Sequence, residues 1–428
     1  MRKSKSSQRL NQSILDNDQR PIVSFFLALI TIGIPLNLLS NRSYEQSWTI
    51  GEWLISYAGG FVRRGLPGSV IHSFATQFNL SPIHSIWLAS FFFYALLAGL
   101  LWRLCKQQIS SAILLSPMIL LGPIIGNYFV RKDTMILVFF GLCLLAIQRF
   151  ESPKKPGWPG ILLINATSIA AILSHESYGI WAIPSLFLSI VYMDSKKHST
   201  ATTFEKGRKA VLHLLPSILA FFTCLIFKGS GNHALAIHES WQELGHLIPS
   251  KEALLENSPL GAIDAIGWST IEGLGLSIST LNNFNYIIWI PAAWLITIYL
   301  CIQLFIADKN PQAVIVKRLI VLFQFLVVSP LFFLGWDFGR WIFIWMTSSA
   351  LLYGFLSTNS KMNILDINEL KSINELAAKL NPGLPASGNR KLMLLFFGIP
   401  ECCWTLKSYI ASTPIGFIPA SIAKGISF

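Results

Sequence analysis

Charge is what this sequence has least of. Asp, Glu, Lys and Arg make up 13% of its 428 residues, about half the ~25% of a soluble domain, while 53% are hydrophobic. That balance describes a polytopic membrane protein rather than a soluble domain. Cysteine is also sparse. Cys105, Cys143, Cys224, Cys301, Cys402 and Cys403 lie mostly in or beside apolar runs, without metal-ligand spacing. Neither a disulfide framework nor a zinc site is indicated. His233, His238 and His246 do not match a motif such as His-Glu-x-x-His. No P-loop, Rossmann fingerprint or internal repeat is present, so no metal and no cofactor is expected. No small-residue cleavage site follows the first apolar run, which reads as a signal anchor. The net charge of +12 is the signature of basic cytoplasmic loops rather than of a nucleic-acid partner.

What the chain has in abundance is apolar runs near the ~20 residues that cross a bilayer. They fall at 22–39, 83–104, 109–129, 134–150, 161–173, 178–192, 211–227, 286–307, 319–335, 341–356 and 392–406. The pair 161–173 and 178–192 is short, and 392–406 is interrupted by Pro400 and Glu401. The expected fold is all-α: a polytopic transmembrane bundle of about ten to eleven helices. With the N-terminus in the cytoplasm, alternating crossings place most of the 33 basic residues on the cytoplasmic side, as the positive-inside rule requires. The chain then divides into a basic tail (1–21), a membrane core (22–356), a cytoplasmic loop (357–391) with an amphipathic pattern over 364–380, and a membrane-associated C-terminal segment (392–428). Within the core, 229–285 is a long, acidic, non-cytoplasmic loop. Its Trp241, Ile263, Ile266 and Trp268 predict short helices lying on the membrane surface.

This topology sends the hardest-to-explain polar residues to one face. The stretch Gly59-Gly60-Phe61-Val62-Arg63-Arg64-Gly65-Leu66-Pro67-Gly68 combines a possible backbone anion nest with two guanidinium forks suited to phosphate. The bland alternative is anchoring to lipid headgroups. Arg131-Lys132-Asp133 opens a span. Asp133 suits a helix N-cap, but two cations on the non-cytoplasmic side ask for a ligand. His175-Glu176 interrupts an apolar stretch, where ionisable groups are costly and usually functional. A desolvated Glu176 is expected to have a raised pKa, suiting it to proton transfer, unless the pair is only a polar turn. Trp336-Asp337-Phe338-Gly339-Arg340-Trp341 offers either a structural ion pair between interfacial tryptophans or an anion-binding Arg340 oriented by Asp337.

Several cations with a few carboxylates and a histidine suit one reaction. A lipid-linked pyrophosphate is held as leaving group while a hydroxyl acceptor is deprotonated. Gly59, Gly60, Arg63, Arg64, Arg131, Lys132 and Arg340 are the candidate substrate-binding residues. His175 and Glu176 are the candidates for proton transfer, with Asp133 and Asp337 orienting them. The order Gly-Gly-Phe-Val-Arg-Arg-Gly-Leu, Arg-Lys-Asp, His-Glu followed by Pro184, and Asp-Phe-Gly-Arg-Trp resembles multi-span proteins of bacterial surface-polysaccharide clusters. These are similar to O-antigen polymerases and, more broadly, to integral-membrane glycosyltransferases of the GT-C type. The resemblance spans Gly59 to Trp341. It implies a polyprenyl-pyrophosphate-linked glycan as substrate, membrane lipids and other polysaccharide-assembly proteins as partners, and a site on the periplasmic face of the inner membrane. Metal-dependent members carry an acidic motif in the first external loop. Here that loop has Glu45 and Glu52 but no Asp-x-Asp, a departure that implies metal-free chemistry. A flippase or transporter of an anionic lipid-linked glycan, and a non-catalytic assembly protein, are the alternative classes.

Overall fold

The structure, a computed structural model, describes residues 20–40, 48–150, 158–197, 202–247, 261–269, six positions between 271 and 279, 289–308, 310–335, 337–358, Glu375, 388–399 and 410–426. Among these residues every regular element is helical. Four helices are long and apolar enough to cross a membrane: α1 (Arg20–Ser40), α4 (Pro82–Cys105), α10 (Thr203–Ile226) and α14 (Pro311–Leu334). Between them run α2 (Trp48–Leu54), α3 (Gly65–Phe78), the short α5 (Ser111–Leu114) and α6 (Gly122–Ile125), α7 (Asp133–Phe150), α8 (Trp158–Ser174), α9 (Ser177–Lys197), α11 (Gly231–Gln242), α12 (Gly261–Asp264) and α13 (Trp289–Ile306). Helices α15 (Phe338–Thr358) and α16 (Pro414–Ile426) follow.

The centre of the bundle is α15, buried at every residue from 338 to 356. It packs on α4, α7 and α14. Helix α7 is nearly as buried and also touches α4, α8 and α9. Both helices are predominantly apolar on every face, as helices enclosed by other helices are. Hydrogen bonds from a few buried polar side chains add to the packing. Gln324 on α14 donates to Ser185 on α9 (2.8 Å) and accepts from Ser348 on α15 (3.0 Å). Pro216 in α10 has no N–H and breaks the local ladder. Asn165 of α8 inserts there, donating to the His213 carbonyl (2.8 Å) and accepting from the Ser217 N–H (3.2 Å) and hydroxyl (2.7 Å).

The run 109–129 is not a single helix. Pro117 and Pro123 remove N–H donors and disfavour helix before themselves, and α5 and α6 are all that forms between turns. The segment is buried inside the protein, the setting in which irregular backbone is tolerated at membrane depth. Neighbours satisfy its carbonyls: Asn37 of α1 donates to Ile124 (2.8 Å) and Tyr94 of α4 to Leu120 (2.7 Å). The bounds of helices Pro82–Cys105 and Asp133–Phe150 match the apolar runs 83–104 and 134–150 closely, whereas α14 starts eight residues early and takes Lys317 inside, where it pairs with Asp308 at 3.0 Å. Of the run 392–406, residues 400–406 lie outside the described residues, and the described part holds a 3-10 helix, Gly388–Leu395. Helix α16 packs on α1, where Gly33 lies against Phe417. The expected short helices in the 229–285 loop appear as α11 and α12, with Trp241, Ile263 and Ile266 buried. The basic tail before Arg20, most of 357–391 including the 364–380 pattern, and Trp336 lie outside the described residues.

Candidate functional site

Four helices begin at the same end of the bundle. The N-termini of α3, α7, α9 and α15 carry Arg64, Asp133, Glu176 and Asp337 at or just before their first residue. The acids have a local reason to be there, because the helix dipole favours negative charge at an N-terminus. Around them gathers one network that joins all nine charged or histidine residues singled out in the sequence.

At its centre is a tenth residue, Glu52 of α2, which is 1% exposed. Arg131 donates to its Oε2 at 3.1 Å. Its Oε1 lies 3.2 Å from His175 Nε2, 3.9 Å from Arg340 and 4.0 Å from Arg64, yet accepts no well-directed hydrogen bond. Burial alone would raise the Glu52 pKa, but Arg340, His175 and Arg131 hold it well below the usual carboxylate range. In the sequence Glu52 stands out only as part of the first loop that lacks an Asp-x-Asp metal motif. The available signal was a lone acid inside the apolar run Trp48-Thr49-Ile50-Gly51-Glu52-Trp53-Leu54, where a charge is costly.

Arg340 forms a fork on Asp133, with Nε to Oδ2 at 2.7 Å and Nη2 to Oδ1 at 3.0 Å, and donates to Asp337 at 2.5 Å. Asp337 also lies 3.9 Å from Arg131. The structural ion pair and the polar cluster are thus the same object. Trp341 is buried, with the Arg340 guanidinium 5.1 Å from its ring centre. It is a packing partner of the network rather than an interfacial anchor.

Glu176 departs from expectation. Arg64 grips both of its oxygens, with Nε to Oε2 at 2.7 Å and Nη2 to Oε1 at 2.5 Å, and Arg63 stands 3.3 Å away. Desolvation pulls its pKa upward, but Arg64 and Arg63 outweigh it and hold the carboxyl well below its ordinary value. It is an anion held by two arginines, not the raised-pKa acid the sequence suggests. His175 beside it is held below its ordinary pKa, chiefly by burial and then by Arg64. Its Nδ1 accepts the Ser177 N–H at 3.3 Å, which places the proton of the neutral ring on Nε2, facing Glu52.

Lys132 is fully buried. Its Nζ donates to the carbonyls of Arg64 and Ser174, both at 3.3 Å, stapling the Arg63-Arg64 loop to the His175-Glu176 bend. Burial pushes its pKa down to about 7. The sequence had it among the ligand-binding cations; in the structure it is enclosed. The glycines also change role. A Cβ added at Gly59 would stand 3.0 Å from Ala236, and Gly60 (φ 111°) lies beside His233, both on α11. The Arg63 N–H donates to the Phe227 carbonyl at 3.0 Å. The loop is therefore held against α10 and α11, with the Gly60 amide also taken up by the Tyr57 carbonyl at 3.0 Å. What it presents is side chains: Arg63 and Arg64, 27% and 26% exposed, are the cations at the opening, with Asp337 at 21%.

A cavity of about 440 Å³, lined by Asp194, Lys206, Arg208 and Lys209 among others, lies at the other end of α9, roughly 25 Å away at 1.5 Å per residue. It takes no part in this site. Among the described residues no group of His, Cys, Asp and Glu is arranged to hold a metal ion. No family model, no curated protein and no solved structure matches the chain.

Proposed function

We propose that the protein is a multi-pass inner-membrane glycosyltransferase, with the N-terminus cytoplasmic and some ten crossings, whose charged site faces the periplasm. It transfers or polymerises glycan units carried on a polyprenyl pyrophosphate. The observation that carries this reading is the single buried charge network from which two arginines emerge at the opening. Deep members of the network, Arg131 and Arg340, are engaged by Glu52, Asp133 and Asp337 and preorganise the site. Arg63 and Arg64 take the pyrophosphate. The acceptor hydroxyl oxygen attacks the anomeric carbon, the bond from that carbon to the phosphate oxygen breaks, and the arginines stabilise the charge left on the pyrophosphate. The acceptor's proton passes to the His175–Glu52 pair, a neutral imidazole beside a carboxylate oxygen that is not saturated.

The test is surface-glycan length on a ladder gel in cells carrying Arg64→Ala, with membrane levels of the protein measured in parallel. Loss of the ladder at normal protein level, with single units still displayed, is the expected outcome. Loss of all surface glycan with precursor trapped on the inner leaflet would instead mark a flippase. An unchanged ladder would leave the network a structural one.

A further inference from the structure

The opening of the network is filled by the protein's own carboxylate. Arg64 uses its Nε and Nη2 donors on Glu176, at 2.7 and 2.5 Å, and Arg63 closes on the same oxygen at 3.3 Å. This is the side of a guanidinium that would grip two oxygens of a phosphate. Arg64 is aimed there at a cost: its φ is 67°, a left-handed backbone that non-glycine residues seldom adopt, and Lys132 holds its carbonyl. Backbone held in such a region is a feature of ligand clamps.

We propose that Glu176 occupies the anion seat of Arg63 and Arg64 in the unliganded protein, and that the phosphate oxygens of the arriving ligand displace it towards His175. The inference rests on the reading of that seat as a phosphate site. The move is short, because Glu176 Oε2 is already 3.9 Å from His175 Nδ1. It also alters His175. In the unliganded arrangement the ring faces Glu52 at 3.2 Å, the Ser177 hydroxyl at 2.8 Å and the positive field of Arg64. Once phosphate neutralises Arg64 and Glu176 turns to Nδ1, the ring lies between two carboxylates and takes up a proton more readily. Donor binding therefore prepares the base that the acceptor needs. Glu176 is a positioning residue, acting through His175 and by vacating the seat.

The experiment measures inorganic pyrophosphate binding to the full-length protein in detergent, by calorimetry, for wild type, Glu176→Gln, Glu176→Asp and Arg64→Ala. Glu176→Gln is expected to bind about tenfold more tightly, ~1.4 kcal/mol, because the seat is no longer contested. Glu176→Asp keeps the charge on a shorter side chain and should fall between Gln and wild type. Arg64→Ala should bind far more weakly than any of them. Wild-type binding with no gain in either Glu176 variant would overturn the displacement and leave the phosphate seat standing. Absence of binding in all four proteins would remove the seat and the displacement with it.

Discussion

Arg340 is the residue whose loss should cost the fold most. It makes two parallel hydrogen bonds to Asp133 and a third to Asp337, and Arg340 and Asp133 are 3% and 1% exposed. Arg340→Gln leaves a carboxylate in a nearly dry site without its fork. Breaking a buried pair from one side costs about 3–5 kcal/mol, a large part of the ~5–15 kcal/mol that holds a typical domain. Asp133→Asn strands the guanidinium and should cost a similar amount, eased by the remaining Asp337. Removing both charges together in Arg340→Gln/Asp133→Asn avoids a lone buried ion. The double variant should therefore be more stable than the sum of the singles by about 2 kcal/mol. Equilibrium unfolding in mild detergent micelles, followed by tryptophan fluorescence during titration with a denaturing detergent, measures all four proteins. Single variants within ~1 kcal/mol of wild type, with additive effects, would refute the reasoning. The pair would then behave like a solvated surface ion pair.

Three other outcomes follow from the same geometry. Burial holds Lys132 near 7 against 10.5 in the free side chain, so between those values the unfolded chain binds the proton more tightly and stability rises with pH, by up to ~1.4 kcal/mol per pH unit. Lys132→Met should flatten that rise, and unfolding midpoints at pH 7 and 9.5 with equal slopes in both proteins would contradict it. At Gly68 an added Cβ would sit 2.0 Å from the Ile55 carbonyl oxygen, so Gly68→Ala should lose about 1–3 kcal/mol and shift the loop carrying Arg63 and Arg64. A thermal midpoint unchanged by Gly68→Ala would mean that the loop yields freely. Gln324→Leu removes bonds to both α9 and α15 and should cost about 1 kcal/mol, at ~0.6 per interhelical bond; a variant as stable as wild type would show that those bonds are energetically silent.

Which polar residues meet was legible from the chain because charge is so scarce in it. An ionisable group among apolar neighbours needs a partner, and Arg64, Asp133, Glu176 and Arg340 are one another's partners in space. What each partner does was not legible. The pKa of Glu176 was expected to rise because burial is visible in local sequence, whereas Arg64, 112 positions away, is not. Glu52 was overlooked for the same reason, since its four cationic or imidazole neighbours come from three distant segments and its own loop. The glycines of 59–68 were legible as close approaches, but not as approaches to α11 and Ile55 rather than to a ligand. Hydropathy also cannot separate a segment facing lipid from one facing protein, and that is why 109–129 looked like a crossing although its prolines and glycines were in plain view.

That last segment has a consequence for biogenesis. A run so apolar is hydrophobic enough to leave the translocon sideways, yet α5 and α6 leave many of its peptide groups outside helical pairing. The Ile124 carbonyl is satisfied by Asn37 of α1, and Tyr128 packs on Phe343 of α15, more than 200 positions later in synthesis. Its final packing therefore includes α15, the last long helix among the described residues. Cysteine accessibility at Ile119 in ribosome-stalled chains ending before and after 358 would register the change: protection that appears only in the longer chains marks late settling, and equal protection in both marks a segment that folds on its own.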